Sequence, residues 1–461
     1  MSLDTGVLPG IDVATGDAAD GSANSFITDT NESRTLVIPM GQQWFVDPPR
    51  DARVSLKVVS GVAEVFGTEL ANDVEYTFQD WKFSLFAIEE TTLTWRCTSV
   101  IPDLAEFVTN RVAANSTAKY VYNLHFALEK LRNSSFEGPK VIVLGEAQVG
   151  KTALCRTLCS YAIKYRDYQP VMVNLDPQEP ILAPPGCLTA TPVSDLLDLQ
   201  SPQWGQTLTS GATQLHGKQP LVKNFGLELI GENLELYLET VRQLSSGVRE
   251  RTQQDSVVQR SGWIVDTPAS ALNNPQILQA VIKQLGVDVI VVLAPEDEHW
   301  VETLDTLSQI IDRNSIIRIP PLTGAVPVDD VYKRLLQRNA IRDYFYGDLN
   351  TVLSPYMISV DSQDLTVWKP RGTMDLVEHP DASKLEFIPV PVDQSNLQHA
   401  LVVITTAPRR ARPEEVMASP ILGFGLITEV NERRQKVKIL LPVPGQLPNN
   451  ALVLTAHRYL E

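Results

Sequence analysis

Eight residues near the middle of the chain, Gly145-Glu-Ala-Gln-Val-Gly150-Lys151-Thr152, match the phosphate-binding pattern GxxxxGK[ST] at every required position. The chemistry needs those types. Glycines let backbone N–H groups turn inward around phosphate oxygens, and the start of a following helix adds partial positive charge. Lys151 then supplies a point charge to the outer phosphates, and the Thr152 hydroxyl is placed to ligate Mg²⁺. Gly145, Gln148, Val149, Gly150, Lys151, Thr152 and Ala153 are therefore candidate nucleotide-binding residues.

Two acids follow at the ends of apolar stretches. Asp176 closes Val171-Met-Val-Asn-Leu175, and Asp266 closes Trp263-Ile-Val. Parallel strands open their ligand crevice at their carboxyl ends, so both side chains are expected near the phosphates. Asp266 reads as an outer magnesium ligand or as a helix N-cap. Asp176 reads as a magnesium ligand and general base for an attacking hydroxyl, or as a turn-forming Asp-Pro. Arg334, Arg338 and Arg342 share one face of an expected helix at i, i+4 and i+8, as either a phosphate-sensing lid or an exposed face.

These residues need a scaffold, and the surrounding text supplies one. The strand Val141–Leu144, a helix over about Lys151–Lys164, the strand Val171–Leu175, Gly262–Asp266, a helix over about Gln276–Leu285, Val287–Leu293, a helix near His299–Ile311 and Ile316–Ile319 alternate as in a parallel sheet covered on both faces. Before them, short β-branched and aromatic segments from Thr35 to Cys97 are separated by turn signals at the spacing of a sandwich. A helix from about Ser116 opens the middle domain, and isolated strands return beyond Arg342. The expectation is an α/β P-loop NTPase/kinase core with a parallel sheet, flanked by an N-terminal β-sandwich and a C-terminal mixed, β-rich domain. The expected divisions are a disordered tail over 1–25, the sandwich over 26–115, the ATP-binding domain over 116–340 and the C-terminal domain over 341–461.

Composition narrows the classes. A length of 461 residues is a prior of about three domains at roughly 150 residues each, and 43% hydrophobic with 20% charged residues is ordinary for a globular protein. A net charge of −16 repels phosphate backbones and anionic membranes, so a nucleic-acid contact would need a local basic site. The longest apolar run, Val289 to Ala294, is far shorter than a membrane span. Four cysteines without a CxxC pair and six histidines without ligand spacing offer no metal centre and fit a reducing compartment.

Beyond the P-loop, Asp176-Pro-Gln-Glu-Pro with Pro184-Pro-Gly186, Ser210-Gly-Ala-Thr and Arg342-Asp-Tyr-Phe-Tyr-Gly347 resemble the kinase-like subunit of the pre-mRNA cleavage and polyadenylation machinery, of the polyribonucleotide 5′-hydroxyl-kinase family. Phe66-Gly-Thr-Glu-Leu70, Tyr76-Thr-Phe, Asn123-Leu-His-Phe, Ala418-Ser-Pro-Ile-Leu-Gly-Phe and Arg458-Tyr-Leu-Glu461 are similar to its fungal branch. The resemblance implies a nuclear protein of fungal cleavage factor IA, bound to its large scaffold subunit and other 3′-end processing factors, with indirect RNA contact and no membrane. It implies ATP and Mg²⁺ as cofactors, and adds Glu32 and Lys82 to the ATP site.

Active kinases of that family follow the strand-end Asp with x-Gly-Gln and carry paired lid arginines. This chain has Asp176-Pro177-Gln178, and Gln337 stands at one arginine position with Arg342 retained. Positioning is nearly all of phosphoryl-transfer catalysis. The expectation is an assembly subunit that holds ATP-Mg²⁺ with little or no turnover. The alternative is an active RNA 5′-hydroxyl kinase with Asp176 as base and Arg342 as lid, and a plain ATPase or GTPase switch is a third.

Overall fold

The computed structural model describes residues 33–460 apart from 49, 51, 99–111, 114, 115, 196, 205–218, 326, 327, 349, 350 and 380–382. The tail over 1–25, Glu32 and the run Ser210-Gly-Ala-Thr lie outside the described residues.

Period-two burial builds the N-terminal sandwich. In the strand Arg53–Ser60, Val54, Leu56 and Val58 face inward, and in Thr91–Thr98 so do Leu93, Trp95 and Cys97. One antiparallel sheet has the order Arg34–Ile38, Thr91–Thr98, Arg53–Ser60, Glu75–Gln79. The other runs Thr68–Glu69, Ala63–Val65, Phe83–Ala87, Gln43–Val46, Val112–Ala113. Trp44, Phe78 and Trp95 fill the space between them.

The central sheet holds five parallel strands in the order Val171–Asn174, Trp263–Asp266, Lys140–Gly145, Val289–Leu293, Ile316–Ile319. It is not purely parallel. Cys187–Pro192 and Leu221–Asn224 extend the Val171 side as antiparallel strands. Alternate residues of the P-loop strand face opposite layers: Val141 and Val143 meet the helices Ala118–Ser134 and Lys151–Arg166, whereas Ile142 and Leu144 meet Leu234–Gln254 and Pro275–Leu285.

The 21-residue helix Leu234–Gln254 has no counterpart among the sequence expectations. Its apolar stripe of Leu236, Tyr237, Val241, Leu244 and Val248 is interrupted by Ser245-Ser246-Gly247, which reads as loop in isolation. Gly247 is used for close approach, since a Cβ there would lie 3.1 Å from Leu221 Cδ1. Asn233 caps this helix through Leu236 N and donates to the carbonyls of Arg371 and Lys384 in the C-terminal domain.

The C-terminal sheet has the order Tyr356–Asp361, Lys436–Leu441, Ile421–Asn431, Ala400–Pro408, Asn450–Arg458, Val367–Lys369, Ile388–Val390. Only Val367–Lys369 with Asn450–Arg458 pairs parallel among the described residues. The helix Asp330–Tyr346 runs through the expected 340/341 junction, and its end packs in one core with Phe424 and Leu440.

Candidate nucleotide site

The P-loop forms because its residues tolerate left-handed backbone. Gly150 has φ +94°, and a Cβ there would sit 2.9 Å from Leu322 Cδ1, so both conformation and space demand glycine. Gln148 also adopts positive φ and donates through Nε2 to the Val328 carbonyl at 2.7 Å. The Leu322 amide donates to Val149 O at 3.0 Å, tying the loop to the segment leading into Asp330–Tyr346.

Lys151 and Thr152 begin the helix that the loop feeds. Lys151 Nζ donates to Glu146 O at 2.8 Å, folding the ammonium over its own loop. Thr152 Oγ1 donates to Asp266 Oδ2 at 2.6 Å, so the adjacent strand brings its terminal carboxylate to the P-loop hydroxyl. Asp266 is 1% exposed; burial pushes its carboxyl up to about 6, against the opposing effects of Thr152 and Lys151.

Asp176 stands beyond the Asp266 strand, in the same cavity as Lys151. Its Oδ1 accepts the Gln178 amide at 3.0 Å, and burial raises its carboxyl above the ordinary range. Glu179 lines this wall as well. Burial, reinforced by the charges of Asp176 and Asp266, pushes Glu179 up to about 8, with Lys333 and Lys151 opposing.

The cavity has a volume of about 440 Å³ and draws walls from two domains. Phe66, Trp81, Lys82 and Phe83 come from the sandwich, and Tyr332, Lys333 and Leu336 from the helix Asp330–Tyr346. Lys82 Nζ pairs with Asp47 at 2.9 Å and lies 4.9 Å from the Tyr332 ring centroid, while its amide donates to the Tyr332 hydroxyl. Arg156, one turn beyond Thr152, is enclosed by Phe66, Trp81 and Trp204 and donates to the carbonyls of Ser201 and Asp198. Lys151, Lys333 and Thr152 line the cavity with Phe66, Trp81 and Trp204, and Thr152 bonds the carboxylate of Asp266; that lining could hold a nucleoside triphosphate, with Thr152 and Asp266 as the candidate magnesium residues.

Gln148, Gly150, Lys151, Thr152, Ala153, Asp176 and Lys82 line the cavity together. Gly145 and Val149 shape the loop from behind, Val149 lying against the Cβ position of Gly145. The arginine row does not line it. Arg334 pairs with Glu228 at 3.7 Å, Arg338 lies over Tyr459, and Arg342 bonds to Asp343. Helical period puts Lys333 and Leu336 on the cavity face instead. Lys333, Glu179 and Arg156 were missed as site residues. Only Arg156 had a sequence signal, being four residues beyond Thr152 on the same helix.

Three family models match in tandem: the N-terminal beta-sandwich domain of polyadenylation factor over 37–135, the mRNA cleavage and polyadenylation factor CLP1 P-loop over 145–347, and pre-mRNA cleavage complex II protein Clp1 over 353–461. The chain belongs to the Clp1 family. The mRNA cleavage and polyadenylation factor CLP1 of Saccharomyces cerevisiae is 52% identical over 457 residues, covering 98% of this chain and 99% of that one. The Candida glabrata CLP1 is 50% identical over 462 residues, at 98% and 99% coverage. A solved complex of wild-type Clp1p with Pcf11p superposes with TM-score 0.87 at 54% identity, covering 94% of this chain and all of that one. A second Clp1 structure, at TM-score 0.86 and 53% identity over the same shares, is described by an extended interface between Pcf11p and Clp1p and by ATP loss in a glycine-to-arginine mutant.

Proposed function

We propose that this Clp1-family chain is a nuclear, ATP-binding assembly subunit of the pre-mRNA 3′-end cleavage and polyadenylation complex. It holds ATP-Mg²⁺ with little or no turnover and binds a Pcf11-type scaffold subunit of the cleavage factor. The carrying observation is the hydrogen bond from Gln337 Nε2 to Gln178 O at 3.0 Å. It joins the two positions at which this chain departs from active kinases, and it fastens the helix Asp330–Tyr346 to the loop of Asp176.

Loop amides and Lys151 bind and orient the phosphates, and Lys333 adds a second cation. A bound magnesium ion would neutralise phosphate charge, with Thr152 and Asp266 as the residues to hold it. Thr152 and Asp266 hold that end in register through their mutual bond. Asp176 accepts the Gln178 amide through one oxygen, so its own loop braces it. The sandwich contributes Phe66 and Trp81 to the same cavity.

The test is to purify the chain, identify its retained nucleotide, and incubate it with labelled ATP and a 5′-hydroxyl RNA, alone and with the scaffold partner. Intact ATP without transfer is expected. Transfer at rates ordinary for kinases, roughly 1–100 s⁻¹, overturns the reading in favour of the 5′-hydroxyl kinase.

A further inference from the structure

A second cleft opens at the end of the central sheet opposite the phosphate loop. Lys140 and Trp263 line it and begin the two strands that finish at Gly145 and Asp266. One strand length, about 17 Å at roughly 3.3 Å per residue, therefore separates it from the nucleotide cavity, and the two share no lining residue. The cleft has a volume of about 130 Å³ and lies where the helices Leu234–Gln254 and Pro275–Leu285 end against those strand starts.

Its inner wall holds an unmet donor. Trp263 is 4% exposed, and its indole N–H is buried without a hydrogen-bond partner. A buried indole N–H ordinarily finds an acceptor, because leaving one unmet forfeits the hydrogen bond it made to water. Leu285, also buried, supplies an apolar wall beside it.

Two cations and one acid stand at the rim. Lys140 Nζ lies 5.0 Å from the Trp263 ring centroid and pairs with Glu137 at 2.8 Å. The Lys140 hydrogen bond and charge, with a smaller contribution from Gln259, hold the Glu137 carboxyl below its ordinary range. Asp288 accepts the Lys140 backbone amide at 2.7 Å and does not line the cleft. Arg249 donates to the Gln284 carbonyl at 2.6 Å and pairs with no carboxylate among the described residues. Glu137 is thus engaged by Lys140, and the charge of Arg249 is in surplus.

An unmet N–H, one surplus cation and an apolar wall select a monoanion with an apolar body. The Glu137 carboxylate disfavours a dianion such as phosphate. A cavity of about 150 Å³ with apolar walls accommodates benzene, so the cleft suits a compact acid of that order. We propose that it binds a small organic carboxylate, whose oxygens accept from the Trp263 indole and the Arg249 guanidinium and whose body packs on Leu285. The site is separate from the nucleotide reading and does not depend on it.

The experiment uses the full chain with benzoate as probe, followed by calorimetric titration and by the melting midpoint. Benzoate should bind saturably and raise the midpoint, since a ligand of the native state stabilises it. Benzamide, which keeps the shape and lacks the charge, and inorganic phosphate should each bind about ten-fold more weakly or worse. Trp263→Phe, which keeps a ring and removes the N–H, and Arg249→Gln should each weaken benzoate by about ten-fold, the scale of one hydrogen bond to a charged group. Arg249 is exposed, so its variant should melt like the parent without benzoate and decides the matter if Trp263→Phe folds poorly. Absence of saturable binding overturns the proposal, as does benzamide or phosphate binding as tightly as benzoate. Affinity within about two-fold of the parent in Arg249→Gln, where one hydrogen bond to charge predicts about ten-fold, overturns it too. Lys151→Ala/Thr152→Ala should leave benzoate affinity unchanged; loss there would place the probe in the nucleotide cavity and reject the cleft.

Discussion

The side-chain amide of Gln337 donates to the backbone carbonyl of Gln178 across 159 positions of sequence. A guanidinium at 337 would instead be free to reach toward a migrating phosphoryl group, and a glycine at 178 would loosen the loop behind Asp176. The two departures from the kinase pattern therefore act on one another, and repair of either alone leaves the other in place.

Restoring transfer should need the group. Gln178→Gly with Glu179→Gln rebuilds Asp-x-Gly-Gln, and Gln337→Arg restores the second arginine. The loop pair alone or Gln337→Arg alone should remain silent toward a 5′-hydroxyl RNA, and the combined variant should label it weakly, since groups acting as a unit are non-additive. Adding Asp176→Asn should abolish that labelling, which radiolabelled RNA on a gel will report. Silence from a combined variant that retains ATP would place the block elsewhere.

Removing the phosphate clamp should cost stability. A ligand at 100 times its dissociation constant stabilises a fold by about 2.7 kcal/mol, and Lys151→Ala with Thr152→Ala deletes the cation and the hydroxyl bonded to Asp266. Calorimetry on protein purified with its nucleotide should show a lower midpoint and no retained ATP. An unchanged midpoint would make the nucleotide incidental.

Glu179 predicts the sign of a pH effect. Its folded value of about 8 lies above the ordinary 4.5, so the native state holds a proton that the unfolded chain has released. In the nucleotide-free Lys151→Ala protein, stability should therefore fall as pH rises from about 4.5 to 8. Adding Glu179→Gln should flatten that part of the profile in denaturant titrations. A slope unaffected by the substitution would reject the assignment.

Gly150→Ala should release ATP with little loss of fold. The new Cβ meets Leu322 at 2.9 Å on a backbone at φ +94°, so the loop must shift where the phosphates bind. Nucleotide content by chromatography should drop while far-ultraviolet dichroism stays unchanged. Retention at the parental level would mean that Leu322 yields instead.

Arg156→Leu should destabilise the native state by about 2 to 4 kcal/mol, because one buried and one half-buried carbonyl lose their donor and three rings lose their cation. Urea midpoints should show it. A shift below about 0.5 kcal/mol, the scale of an ordinary surface substitution, would deny Arg156 this bracing role.

Much of the site was legible because its chemistry is local. The P-loop, and the strands ending near Asp176 and Asp266, announce themselves in short windows of sequence. What stayed hidden depends on chain segments that meet only in the fold. The carboxyl of Glu179 is raised by its burial beside Asp176 and Asp266, and nothing in Asp176-Pro-Gln-Glu predicts that enclosure. The arginine row was legible as one helical face, and the choice between lid and exposed face was not, since periodicity fixes which residues share a side but not what that side meets. The helix Leu234–Gln254 was hidden by Ser245-Ser246-Gly247, where packing against Leu221 outweighs local propensity.

The shared core of the central and C-terminal domains sets an order for biosynthesis. The sandwich closes around residues no later than Leu199, so it can assemble while the remaining chain is still being translated. The layer beneath the P-loop strand instead includes Ala451, Val453 and Tyr459. Until those residues leave the ribosome, the nucleotide-binding half exposes an unfinished apolar surface. A polypeptide released before Ala451 would therefore be a client for chaperones and proteases rather than a slightly shortened subunit.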